Sequence, residues 1–204
     1  MTGLRQQHRQ RVHEAISEAA ISLFLERGFD EVPVTEVAAA ARVSKPTLFK
    51  YFPTKEDLVL HRIADHQGEA ARVVRGRAAG ETPLAALRRH FLDGLARHEP
   101  VTGLNDHPAV VAYYRLVFST PSLATRVFQY MAVDESALAE ALAETMDRLT
   151  ADLLAAQTLA TQRVLARRSW EALVAGRPIA EVEPEAVRAA ELAFSLLGAG
   201  HAAG

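Results

Sequence analysis

The chain has 204 residues, 49% hydrophobic and 6% aromatic, with a formal net charge of −2. It contains no cysteine, which excludes a disulfide framework, a thiol nucleophile and a cysteine-ligated metal site. No apolar run approaches the ~20 residues of a membrane span, and the N-terminus lacks the apolar core of a signal peptide, so a cytoplasmic protein without a membrane partner is expected. Residues 1–8 are polar and predicted disordered; Arg5, Arg9 and Arg11 either reach toward DNA or are simply solvated. Over residues 9–27, Val12, Ala15, Ile16, Ala19, Ala20, Leu23 and Phe24 recur at i, i+3, i+4 and predict an amphipathic helix. Gly28 is the expected residue just past its end, and Phe29 the apolar residue that folds back after it.

The next stretch, residues 33–55, reads PVTEVAAAARVSKPTLFKYFPTK. Val34, Val37, Ala38 and Ala41 have helical spacing. Ser44 is a good N-cap for a second helix, and Pro46 is tolerated in its first turn because the early N–H groups have no intrahelical partner. Leu48 and Phe52, four apart, form the buried face. Pro46 and Lys50 point the opposite way, with Thr47 and Phe49 on the flanks. Pro53 stops the helix. Thr54, with Asp57 three residues on, makes a weak capping box for the next one. Two short helices joined by a tight turn, the second polar and basic outside, describe a helix-turn-helix whose second helix suits the DNA major groove. The chain's lysines are Lys45, Lys50 and Lys55, all in this stretch, and ammonium groups are suitable phosphate ligands. Residues 1–55 carry eight Lys/Arg against six Asp/Glu, and residues 56–204 carry fifteen against nineteen, which agrees with a DNA-facing N-terminus.

The segment SKPTLFKYFPTKEDL resembles the recognition-helix signature of the TetR (tetracycline-repressor-like) family of bacterial transcription regulators, and ERGFDEVPVTEVAAAARV resembles that family's preceding helices. The resemblance covers about residues 10–60, where Thr47, Leu48, Tyr51, Phe52 and Lys55 keep their places. Three positions depart from the pattern: Phe49 replaces a usual tyrosine, Arg42 a usual turn glycine, and Pro33 a common capping Thr or Ser. The candidate DNA-contacting set is Thr35, Ser44, Lys45, Pro46, Thr47, Phe49, Lys50, Tyr51 and Lys55.

Beyond the motif, Thr54 to about Arg75 reads as one long helix. Asp57, His61, Asp65 and Glu69 line up at intervals of four, which is either a metal-ligating row or a solvated face with i,i+4 pairs; we read it as the latter. Thr82 caps a helix with Pro83 at its first position and Leu84, Leu87, Phe91 and Leu95 as its inner stripe. Residues 108–118, PAVVAYYRLVF, form a short apolar helix expected to be buried on most sides. A helix of about 25 residues follows Pro121, another runs from about Thr150 to Ala175, and the last from about Pro184 to Leu197. The tail after it is expected to be flexible.

No catalytic, nucleotide-binding or zinc-protease motif is present. The histidines are scattered, and no catalytic residue, metal site or cofactor is expected. Phe91, His107, Tyr113, Tyr114, Phe118, Phe128, Met131 and Trp170 are either plain core or the wall of an apolar ligand pocket, with Gln157 and Thr161 as candidate polar groups. The resemblance implies a ligand cavity here, and a dimer in which two helices of each protomer form a four-helix bundle. The expectation is an all-α protein: a helix-turn-helix DNA-binding domain over residues 1–53 and an effector-binding and dimerisation domain over residues 54–204. It would act as a ligand-responsive transcription regulator, a repressor, that binds a palindromic double-stranded DNA operator as a homodimer and is released by a small, largely apolar effector. The alternative is an all-helical enzyme or small-molecule carrier whose N-terminal helices are scaffold.

Overall fold

The computed structural model describes the backbone of residues 2–201 and the side chains of residues 7–199. All regular elements among them are helices: α1 (Thr2–Arg27), α2 (Val34–Ala40), α3 (Lys45–Tyr51), α4 (Asp57–Ala64), α5 (Glu69–Arg75), α6 (Pro83–Ala96), α7 (Pro108–Ser119), α8 (Pro121–Ala143), α9 (Arg148–Val174) and α10 (Ile179–His201), with one 3₁₀ turn at Pro100–Thr102. The expected all-α class, with its N-terminal helix-turn-helix, is the class observed. The chain divides into two compact units. The first comprises residues up to Asp65 plus Ala112–Val127, and the second His66–Val111 plus the residues from Phe128 onward.

In the first unit α1 packs on α2 and α4. Ile16, Ala20, Ile21 and Phe24 of α1, Val37 and Ala38 of α2, Leu48 and Phe52 of the α3 segment, and Leu58, Val59 and Leu60 of α4 are all buried. Gly28 has φ +92° and its N–H reaches the Phe24 carbonyl at 2.9 Å, so α1 ends where the glycine was expected to end it. The Phe29 ring lies 5.0 Å from that of Phe24. Tyr113 of α7 donates its hydroxyl to the Val59 carbonyl at 2.8 Å, fixing α7 to α4 within this unit.

In the second unit α10 lies against both α9 and α6, and α6 against α5. Leu87, Phe91, Leu95, Leu138, Leu142, Leu154, Leu165, Val182 and Phe194 belong to its shared core. Thr82 caps α6 by accepting from the Ala85 N–H at 3.2 Å. Asp147 does the same for α9, accepting from the Thr150 N–H at 3.1 Å. Gly103, at φ +72°, brings the loop onto α9 so closely that an added Cβ would sit 1.9 Å from the Ala166 carbonyl oxygen.

Several expectations are corrected. α1 begins at Thr2, well before residue 9; Met1 and the Arg5 side chain lie outside the described residues. The long helix expected over 54–75 is broken into α4 and α5. Gly68 between them has φ +70°, a conformation glycine adopts freely, and its N–H is held by the Asp134 carboxylate at 2.8 Å. A mid-helix glycine already costs ~1 kcal/mol against alanine, so a side-chain partner for its N–H is enough to favour the break. The break removes Glu69 from the row of Asp57, His61 and Asp65, and His61 is half-buried rather than solvated. α7 is not covered on most sides: Tyr113 and Val117 are buried, while Phe118 is 50% exposed. α10 starts at Ile179 and carries Pro184 inside it; the proline's missing N–H costs one early hydrogen bond without stopping the helix. It also runs on to His201, through residues expected to be a flexible tail; residues 202–204 of that tail lie outside the described ones.

Candidate nucleic-acid interface

The geometry of α2 and α3 follows from local chemistry. α2 ends at Ala40 with Ala41 as its C-cap, after which Arg42 takes φ +56°. The Arg42 N–H bonds to the Ala39 carbonyl at 3.1 Å and the Val43 N–H to the Ala38 carbonyl at 2.9 Å. These two bonds form a Schellman motif, so the turn expected at this position forms with an arginine where glycine is favoured. The left-handed conformation costs a non-glycine residue roughly 1–2 kcal/mol. Ser44 then caps α3, its Oγ accepting from the Thr47 N–H at 3.2 Å and lying 2.7 Å from the Thr47 Oγ1. Thr54 and Asp57 bond reciprocally across the turn that leads into α4, whose N-cap position is Glu56: the Thr54 N–H donates to the Asp57 carboxylate at 3.0 Å, and the Asp57 N–H to the Thr54 hydroxyl at 3.2 Å.

α3 turns Leu48 inward, and Phe52 just past its end is buried with it. Thr35, Ser44, Lys45, Pro46, Phe49 and Lys50 are exposed, and Thr47 and Tyr51 half-exposed. The Lys45 ammonium sits 5.9 Å from the centre of the Phe49 ring, a contact that orders both side chains without removing the charge from water. These residues form a surface that is small, hydroxylated and basic, suited to phosphate and base-edge contacts.

Lys55 behaves differently from the other lysines. Its ammonium lies 4.6 Å from the Phe29 ring centre and 5.6 Å from that of Phe24, and 3.5 Å from the Asp30 carbonyl oxygen. The side chain is half-buried and clamps the loop after α1. Sequence spacing alone could not separate it from Lys45 and Lys50.

The candidate ligand-binding residues are split between the two units. Tyr113, Tyr114 and Phe118 fall in the first; Phe91, His107, Phe128, Met131, Gln157, Thr161 and Trp170 fall in the second. In the first unit, Tyr114 is stacked on Phe118 with ring centres 6.0 Å apart, and burial pushes its phenol up to about 12. In the second, Phe91 is core, its ring 6.1 Å from that of Phe194. His107 is exposed and serves as the cap of α7, its Nδ1 accepting from the Ala109 N–H at 3.2 Å. Phe128 is 63% exposed. Met131 is half-buried, with its sulfur 3.8 Å from the Arg163 guanidinium. Gln157 is exposed; Thr161 and Trp170 are half-buried. The neighbouring Thr158, which the sequence did not single out, is fully buried and its Oγ1 has no hydrogen-bond partner. Its polar character was hidden because threonine is ordinary inside an alanine-rich helix.

Comparison with known proteins points the same way as the geometry. Residues 16–61 match the pattern of the family described as bacterial regulatory proteins, tetR family. The chain is 31% identical over 143 residues, 69% of its own length, to the HTH-type transcriptional regulator TcmR of Streptomyces glaucescens, spanning 63% of that protein. It is 35% identical over 83 residues, 40% of its own length, to the HTH-type transcriptional repressor Rv3405c of Mycobacterium tuberculosis, spanning 44% of it. The match thus spans less than two thirds of either relative. The solved structure of NalD, the secondary repressor of the MexAB-OprM multidrug efflux pump in Pseudomonas aeruginosa, shares the fold, with a TM-score of 0.63 at 18% identity over 92% of this chain and 96% of that one.

Proposed function

Because the chain belongs to the tetR family of bacterial regulatory proteins, a family of transcriptional regulators and not of enzymes, we propose that it binds a palindromic DNA operator as a homodimer and represses transcription until a small, largely apolar effector releases it. The observation that carries this reading is the outer surface of α3, where Lys45, Pro46, Phe49 and Lys50 stand exposed over a buried Leu48. A helix so presented is of a size to enter the major groove, and its N-terminal residues reach base edges. Residues 1–53 carry this DNA-binding role, and residues 54–204 carry dimerisation and effector binding.

Two features support the dimer. Leu192 and Leu196 of α10 are four apart and 63% and 66% exposed. On α9, which packs on α10, Leu149, Leu153 and Val164 are 68%, 50% and 57% exposed. Two helices with uncovered leucines are what a second copy of the same pair would cover, and a dimer is what reading a two-fold operator needs. The effector is proposed to lie within the second unit, with the buried Thr158 as a polar group in need of a partner. Release requires the effector to bind the DNA-free form more tightly than the DNA-bound form.

A gel shift with the DNA flanking the protein's own gene tests the reading. A shifted species of one dimer per site, weakened by rising salt and by Lys45→Ala plus Lys50→Ala, is expected; an operator affinity unchanged by those substitutions sinks it.

A further inference from the structure

His61 of α4 lies at the seam between α1 and α4, and the site favours its neutral ring. Its Nε2 is 2.9 Å from the Ser17 Oγ of α1, and Ser17 is itself buried. Its Nδ1 is shut off from water and has no hydrogen-bond partner. The His61 ring stands 5.2 Å from that of His13 and 5.6 Å from that of Phe52, while His13 packs on Phe52 at 4.4 Å. Phe52 is the residue that ends α3 on its buried side. The two histidines therefore form part of the bed on which the helix-turn-helix rests.

We propose that this seam is a proton-operated release: on acidification His61 takes up a proton, leaves its place between α1 and α4, and loosens the support of α3. A protonated ring would carry a second N–H on the buried Nδ1, which has no formed hydrogen bond, and an ill-matched polar group at a buried atom is expensive. Charged groups face the seam from each side. From α1 come Arg9, His13, Glu14 and Glu18, and from α4 itself Arg62 and Asp65, all lining a groove of about 540 Å³ beside His61; the α3 side contributes Tyr51 near His13 and the apolar Phe52. Burial dominates and holds the His61 pKa down to about 4; His13 and Arg62 push the same way, and Asp65 and the Leu58 carbonyl oppose them more weakly. The groove supplies the route by which water and a proton reach the ring.

The direction with pH follows from linkage. In the opened unit His61 regains the ordinary value of 6.5, against about 4 in the closed one. The closed form thus binds fewer protons, its stability is complete above pH ~6.5, and it is lost as pH falls from there toward ~4. The effect on DNA rests on the function proposed above, whereas the opening does not, so the test uses the full-length protein without DNA. Hydrogen exchange, corrected for the intrinsic effect of pH, reads the opening of α1 and α4. From pH 7.5 to 5.5 opening should increase about tenfold in α1 and α4, with little change in α9 and α10, and His61→Gln should remove the increase. An equal rise in α9 and α10, or a rise that persists in His61→Gln, overturns the proposal. Should that variant not fold, NMR titration of the wild-type histidines decides: a ring that titrates below pH 5 supports it, and eight rings all titrating near 6.5 overturn it.

Discussion

The outward faces of α3 and α10 invite a comparison. Both helices bury one stripe and leave the other uncovered. α3 leaves lysine, proline, threonine and an aromatic edge in water, whereas α10 leaves Leu192 and Leu196. Water already solvates the first face well, so whatever displaces it must offer charge and hydrogen bonds, as a phosphate backbone does. Water solvates the second face poorly, and only another apolar surface repays covering it. The same device, an uncovered helix face, therefore marks two different kinds of partner.

The largest effect that would break this comparison is on α10. Leu192→Glu with Leu196→Glu should turn a dimer into a 22.2 kDa monomer. Across a two-fold axis four leucines are affected, each worth about 1.5–3 kcal/mol when buried, so dimerisation should weaken by several orders of magnitude. Light scattering at low micromolar concentration measures it; a wild-type chain that is already monomeric there ends the argument for a dimer. α3 should be untouched, which the circular dichroism of the variant can check.

Next in size is Gly103→Ala. The added methyl meets the Ala166 carbonyl oxygen and the residue is held at φ +72°, so backbone strain of roughly 1–2 kcal/mol adds to overpacking of typically 1–3 kcal/mol. A loss of about 2–5 kcal/mol in denaturant unfolding is expected, located in the second unit. An α3 mutation of similar size, such as Lys50→Ala, should leave that unfolding alone.

The lysines sharpen the comparison further. Lys50→Ala should reduce the slope of log K against log salt by about 0.9, the share of one phosphate contact. Lys55→Ala should leave the slope close to wild type and instead lower stability by about 1 kcal/mol, through lost contact with Phe24 and Phe29. Equal slope changes for both would show that Lys55 leaves its aromatic seat on binding DNA. The smallest effect is at Arg42. Arg42→Gly should relieve the left-handed backbone and raise the melting temperature, with a net gain of about 0.5–1 kcal/mol after the glycine's greater unfolded freedom is counted. A lower melting temperature would mean that the arginine side chain contributes more than its backbone conformation costs.

What the sequence determined by itself was local. The apolar period of α1, Gly28 at its end, Ser44 and Thr82 as caps, the Thr54–Asp57 pair and the buried pairing of Leu48 with Phe52 all depend on residues within a few positions of one another, so one strand of text contains both partners. Tertiary structure decided the rest. The break before α5 depends on Asp134, sixty-six residues from the Gly68 N–H it receives. The inward turn of Lys55 depends on rings delivered by α1 and its loop. His61 reads as one of a solvated row until α1 brings Ser17 and His13 against it, and α7 reads as covered although Phe118 stands half exposed. In each case local preferences differ by only ~1 kcal/mol, and a contact from a distant part of the chain is large enough to choose between them.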